Sequence, residues 1–195
     1  MEAITNFSDL DITKKYTYSD YLKWNFKERV ELIKGFISKM SPAPSRFHQE
    51  VSQNLSGCFY ENFKRQSCRV FVAPFDVRLQ IKNEKKDETV VQPDLCIVCD
   101  ENKLDDKGCN GSPDLIVEII SPNNSKHDIH TKFNLYQEAG VQEYWIVDPT
   151  DKLILIYTLD DRKYIGLPPL ALGDVVKSPL FPNMKIALDD VFYRI

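Results

Sequence analysis

The chain has 195 residues, with 25 Lys+Arg against 29 Asp+Glu and a formal charge of −4. At roughly 150 residues per domain this length predicts one domain over 1–195; a hydrophobic share of 43% with 11% aromatics supplies a core and excludes wholesale disorder. The seven glycines form neither GxGxxG nor GxxxxGKS/T, which argues against dinucleotide-fold and P-loop enzymes, and no apolar run approaches the ~20 residues that cross a bilayer.

The N-terminal stretch shows no signal-peptide core. An odd set of five cysteines (58, 68, 96, 99 and 109) predicts a reducing compartment, so a cytoplasmic location is expected. Cys96 and Cys99 form a CxxC inside the extended run DLCIVC. Side chains three apart on a strand face opposite ways, so these two read as buried small hydrophobes, not as zinc ligands.

In chain order, 17–26 reads as a short helix and 29–42 as two strands turning at Lys34-Gly35. Apolar residues at 47, 51, 55, 58, 59 and 63 make a helical stripe over 47–64. Residues 69–81 and 90–99 read as strands joined by a charged tip at 83–88, and 101–112 as a polar loop. A strong strand follows at 115–120. Residues 128–139 form a second helix, stopped by Gly140. Strands are expected at 144–147 and 152–159, then a Pro-rich turn at 167–170 and a short strand or helix near 186–193. The strand-helix-strand step from 115 to 147 is long enough for a parallel crossover. The fold class is therefore α/β: a mixed sheet flanked by helices, with extra antiparallel strands at the N-terminus and tail.

Two carboxylates stand out. Asp94 follows Pro93 at the start of an apolar strand, and Glu118 lies inside DLIVEII. A charge in such a place must be paired or bound to metal. On adjacent strands the two could share one cation, whereas Asp114 lies ~13 Å along the strand from Glu118. Two carboxylates with waters on a hard divalent cation is the usual magnesium arrangement. The competing readings are a buried ion pair for Glu118 and a turn residue for Asp94. Residues 114–150 carry two lysines against six carboxylates, so the acidic excess sits in the stretch that supplies Glu118.

PDLCIV at 93–98, SPDLIVEIISPNN at 112–124 and DIHTKFNLYQEAGVQEYWIVDP at 128–149 resemble the Uma-two family of endonucleases, within the PD-(D/E)xK restriction-endonuclease-like superfamily. ERVELIKGFISKMSPAPSRFHQEV at 28–51 resembles the same family's N-terminal block, so the likeness spans roughly 25–160, with a nuclease-like core at about 45–150. It implies that Asp94 and Glu118 bind Mg²⁺, with Mn²⁺ as a substitute. The motif's lysine position holds Ile120 here. Lys132 on the following helix is the candidate replacement, its alternative being an ion pair with Asp128; Lys126 is a weaker candidate. Glu31 is a further active-site candidate, its alternative a partner for Arg29 or Lys34. His48 is a candidate helper base. His127 and His130 have a metal-ligand spacing but no third ligand nearby. Tyr136 and Tyr144 read as core or interface aromatics.

The function implied is Mg²⁺-dependent endonucleolytic hydrolysis of DNA. Cutting both strands needs two sites, which suits a homodimer. The alternative, favoured by Ile120 and the acidic excess, is a nuclease-fold module that binds nucleic acid or protein without cleaving.

Overall fold

The structure, a computed structural model, describes residues 3–40, 44–81, 87–121 and 126–195, with only the backbone of 126–128. Its strands form two six-stranded mixed sheets. The N-terminal sheet contains β1 (Val30–Ile33), β2 (Phe36–Lys39), β4 (Val77–Leu79), β5 (Thr89–Val91), β7 (Leu104–Asp105) and β8 (Gly108–Asn110), in the order β2-β1-β5-β4-β8-β7. The second sheet contains β3 (Arg69–Val72), β6 (Leu95–Val98), β9 (Leu115–Ile119), β10 (Glu143–Asp148), β11 (Leu153–Asp160) and β12 (Lys163–Gly166), in the order β12-β11-β10-β9-β6-β3. Both predicted antiparallel additions are present: β1 pairs with β2, and β11 pairs with β10 and β12.

The predicted strands 69–81 and 90–99 are each two strands. Each splits at a proline, Pro74 or Pro93, where the chain passes from one sheet to the other. Proline offers no N–H to a ladder, so pairing stops there. The two crossings lie side by side, with the Ala73 N–H donating to the Asp94 carbonyl at 3.0 Å. Asp94 thus sits at the seam between the sheets.

The helices cover the second sheet on both faces. Helix α2 (Arg46–Phe63) buries Val51, Leu55, Phe59 and Phe63 against Leu95, Val117 and Trp145, joined by α4 (Leu188–Val191) near the C-terminus. Phe47, counted in the predicted stripe, is exposed and lies beside the Arg46 guanidinium. Helix α3 (Lys126–Ala139) is the crossover between the parallel strands β9 and β10, and lays Leu135 and Tyr136 on the other face with Cys96, Ile116 and Tyr144. Each fully buried side chain of this kind stabilises by about 1.5–3 kcal/mol. Gly140, at φ +83°, ends α3 as its position predicts, and the Val141 N–H closes back onto the Tyr136 carbonyl at 3.0 Å.

Several expectations are corrected. The first helix is one turn, α1 (Tyr18–Tyr21), because Leu22 already caps it. The polar stretch 101–112 holds a 3-10 turn and the hairpin β7–β8, too short to show a period in sequence. Cys99 is not a lone buried thiol: the register that pairs Arg69 with Val98 sets Cys68 opposite it, and the two form a disulfide. Cys58, Cys96 and Cys109 remain free. With one cross-link formed, the odd cysteine count no longer argues for a reducing compartment. Among the described residues no helix is long and apolar enough to cross a membrane. The charged tip expected at 83–88 lies outside the described residues except for 87 and 88.

A buried carboxylate anchors the tail. Glu143 is fully buried; its Oε1 accepts from Trp145 Nε1 at 2.7 Å, and its Oε2 from Ser178 Oγ at 2.9 Å and the Leu180 N–H at 3.2 Å. Burial raises its carboxyl above the usual range, against the lowering effect of those donors. Glu143→Ala strands two buried donors, Trp145 Nε1 and Ser178 Oγ, each costing about 1–3 kcal/mol when unpaired, and the half-buried Leu180 N–H. A stability loss above about 2 kcal/mol is expected in urea unfolding; an unchanged midpoint would show that the tail does not depend on this residue.

Candidate active site

The β6–β9 register pairs Leu95 with Val117 and Cys96 with Ile116, which sets Asp94 opposite Glu118. The predicted adjacency of these carboxylates is therefore present. Residues directly opposite share a face, and here it is the face covered by α3. Lys132 projects from that helix between two acids: its Nζ is 2.6 Å from Glu31 Oε1 and 3.1 Å from Glu118 Oε1. The third donor direction meets Tyr136 Oη at 3.3 Å. Glu31 comes from β1 of the N-terminal sheet, Glu118 from the second sheet, so the lysine clamps the seam on which Asp94 lies.

Each carboxylate has one oxygen committed to protein donors. Glu118 Oε1 accepts from Tyr136 Oη at 2.5 Å as well as from Lys132. Asp94 Oδ2 accepts from the Ile119 N–H at 2.8 Å and is 3.1 Å from His48 Nε2. Glu31 Oε1 accepts from the Gln92 N–H at 2.8 Å in addition to Lys132. Among the described residues no donor reaches Asp94 Oδ1 or Glu118 Oε2.

The electrostatics follow from this packing. Burial pushes the Glu118 carboxyl above the usual range; Lys132 opposes that rise, and the charges of Asp94 and Glu31 add to it. Burial works against the Lys132 ammonium, but Glu118 and Glu31 more than offset it, so the lysine is held firmly protonated. For His48 burial favours the neutral ring, yet its hydrogen bond to Asp94 and the charges of Asp94 and Glu118 leave its pKa raised. The ring stands in the first turn of α2, where the His48 N–H donates to Ser45 Oγ at 3.3 Å.

All five residues singled out in the sequence, Glu31, His48, Asp94, Glu118 and Lys132, are thus brought to one seam. The ion pair considered for Glu118 is also real, with Lys132 as its partner. Ile120, in the motif's lysine position, packs partly buried among apolar residues. The other candidates do not join the site. Asp114 Oδ2 accepts from the Cys99 N–H at 2.8 Å. His130 Nε2 is 3.0 Å from Asn134 Nδ2. The side chains of Lys126, His127 and Asp128 lie outside the described residues. Sequence reasoning missed two participants. Tyr136 reads in sequence as a core or interface aromatic, although its spacing of four from Lys132 signals that the two share a helix face. Gln92 was not considered. Among the described residues, no three His, Cys, Asp or Glu side chains form a metal-binding group.

A carboxylate pair on neighbouring strands, with a lysine supplied by the crossover helix of a mixed sheet, defines an α/β protein of nuclease fold. The chain belongs to the Uma2 family, described as "Putative restriction endonuclease", whose model matches residues 18–189. A curated relative, an uncharacterized protein of Synechocystis sp., is 29% identical over 172 residues, covering 78% of this chain and 87% of its own. Among solved structures, a "putative nuclease belonging to DUF820" from Anabaena variabilis superposes with a TM-score of 0.71 at 19% identity, covering 91% of this chain and 97% of that one. At that identity the likeness establishes a shared fold. The family expected from the sequence is borne out, and the match extends past 25–160 at both ends.

Proposed function

We propose that the protein is a Mg²⁺-dependent endonuclease hydrolysing DNA phosphodiester bonds, with Mn²⁺ as a workable substitute. The observation that carries this reading is Lys132 Nζ at 2.6 and 3.1 Å from Glu31 and Glu118, where the strand itself offers only Ile120. Asp94 Oδ1 and Glu118 Oε2 fit a divalent cation. They are hard oxygen donors, they sit opposite each other in register, and no described protein donor competes for them. A cation bound there supplies polarisation of a phosphoryl oxygen and an attacking water of lowered pKa.

The chain's own residues do the rest. His48 and the Ile119 N–H fix the rotation of the Asp94 carboxylate, and Tyr136 fixes that of Glu118. Lys132 is held charged, so it donates hydrogen bonds rather than accepting a proton. Its longest contact, to Tyr136 Oη at 3.3 Å, is the N–H most readily turned towards water or a non-bridging phosphate oxygen. Glu31 keeps the ammonium over the carboxylates.

Supercoiled plasmid incubated with purified protein and Mg²⁺ is expected to be nicked, and to stay intact with EDTA or with the Asp94→Ala, Glu118→Ala double variant. No nicking by the wild type, or undiminished nicking by the double variant, sinks the reading. The second reading, a module that binds without cleaving, draws support from Ile120 at the motif position. It is favoured if calorimetry finds no Mg²⁺ or Mn²⁺ binding that depends on Glu118.

A further inference from the structure

Gln92 connects the carboxylates to a second feature. Its backbone N–H holds Glu31, while its side chain lines an open cavity of about 320 Å³ together with Tyr21, Trp24, Phe26, Arg29 and Pro74. Three of these six are aromatic. Trp24 and Phe26 stack with centroids 5.8 Å apart at 27°, and Tyr21 lies 5.6 Å from Trp24.

The polar groups of the cavity are fixed in place. Gln92 Nε2 donates to Asp76 Oδ1 at 2.8 Å and to Tyr21 Oη at 3.2 Å, and its Oε1 accepts from Arg29 Nη2 at 3.0 Å. Arg29 is exposed; among the described residues its guanidinium has only this partner and no carboxylate in ion-pair range. Glu28 stands at the same cavity as a hydrogen-bond acceptor.

The cavity is built from the segments that carry the site. Val30 and Glu31 alternate along β1, so the cavity lies on the face of that strand opposite Glu31. It reaches the seam through Gln92, whose backbone N–H holds Glu31, and through Pro74, beside the Ala73 N–H that donates to the Asp94 carbonyl at 3.0 Å. Flat rings, a guanidinium and a fixed amide in a small concavity form the chemistry that takes up an unstacked base. A volume at the low end of ligand pockets, about 300–1,000 Å³, suits a single flat ring system rather than a helix or a peptide. A base within an intact duplex is stacked on both faces and cannot enter without paying for its extrusion.

We propose that this cavity receives an unpaired nucleobase of a strand that crosses the seam at Asp94 and Glu118, so that the substrate is single-stranded or locally unpaired DNA. The proposal rests on the nuclease reading above. Aromatic faces stack on the base, Arg29 meets the adjoining phosphate, and Glu28 accepts from an exocyclic amine.

Fluorescence anisotropy in EDTA, with a short labelled oligonucleotide offered single-stranded or as duplex, tests this without metal or cleavage. The single strand is expected to bind at least about tenfold more tightly than the duplex. Phe26→Leu keeps apolar bulk but removes a ring, and should weaken single-strand binding by about five- to a hundredfold. Arg29→Gln, at an exposed position, should weaken it and lower the salt dependence by about one phosphate contact. Equal affinity for the two forms, or unchanged single-strand affinity in both variants, overturns the proposal. Ring-dependent binding without Mg²⁺-dependent nicking leaves the cavity standing and removes the hydrolytic reading. Nicking with no effect of either variant on binding does the reverse.

Discussion

Lys132→Met is expected to abolish nicking and to cost the fold about 3–5 kcal/mol, the usual penalty for removing one partner of a buried ion pair. Methionine matches the length and apolar stem of lysine, so the packing of α3 survives and the loss isolates the charge. What remains is Glu31, with 5% of its side chain exposed, and Glu118, with 18%, facing each other and Asp94 without a cation. The sign of the pH dependence follows. A carboxyl raised in the folded state costs nothing below its unfolded pKa, and the cost grows as pH rises through the folded value. Glu118 is already raised by burial with Lys132 present, and the variant removes the group that opposes that rise. The variant should therefore approach wild-type stability in acid and fall further behind towards neutral pH, as read from urea midpoints. Adding Glu118→Gln to Lys132→Met should restore part of the stability and none of the nicking. A Lys132→Met protein within about 1 kcal/mol of wild type at neutral pH would sink the clamp.

That clamp explains which parts of the site could be read in the sequence. Glu118 and Ile116 are two apart on the strand expected at 115–120, a spacing that puts them on one face, and the structure has both on the α3 side. The helix expected at 128–139 carries Lys132 four residues before Tyr136, so the two share a helix face. Both are local periodicities, and periodicity survives folding because one face must be buried. What escaped was set by tertiary pairing. Residues 69–72 and 77–79 share one apolar pattern but belong to different sheets, and only the partners of each strand decide that. The strands expected at 69–81 and 90–99 run through Pro74 and Pro93; a proline can end a ladder, but it does not say where the chain goes next. Tyr136 reads in sequence as a core or interface aromatic, and it is buried; its hydroxyl matters through Glu118, eighteen residues away. Cys99 gained its partner from the β3–β6 register, 31 residues removed in sequence.

Glu118→Gln and Asp94→Asn test the cation directly, and both should reduce Mn²⁺ or Mg²⁺ binding by calorimetry beyond detection. Each change keeps the side-chain shape while removing a negative charge that a hard cation needs. Glu118→Gln should leave the fold intact, because Lys132 retains Glu31 at 2.6 Å. Nicking should fall by about 10²–10³ or more in either variant. His48→Ala separates ligation from orientation. His48 touches Asp94 Oδ2 and not Oδ1, so its loss frees the carboxylate to rotate without removing a ligand. Metal affinity should then drop by about 10–100-fold, the range for groups that orient a ligand, and should stay measurable. His48→Gln, able to donate to the same oxygen, should recover part of that loss. If His48→Ala abolishes binding as completely as Asp94→Asn does, the imidazole itself is a ligand and the two-carboxylate site is wrong. If all three variants bind metal like the wild type, the cation sits elsewhere, and the ammonium of Lys132 is then the only cation these acids hold.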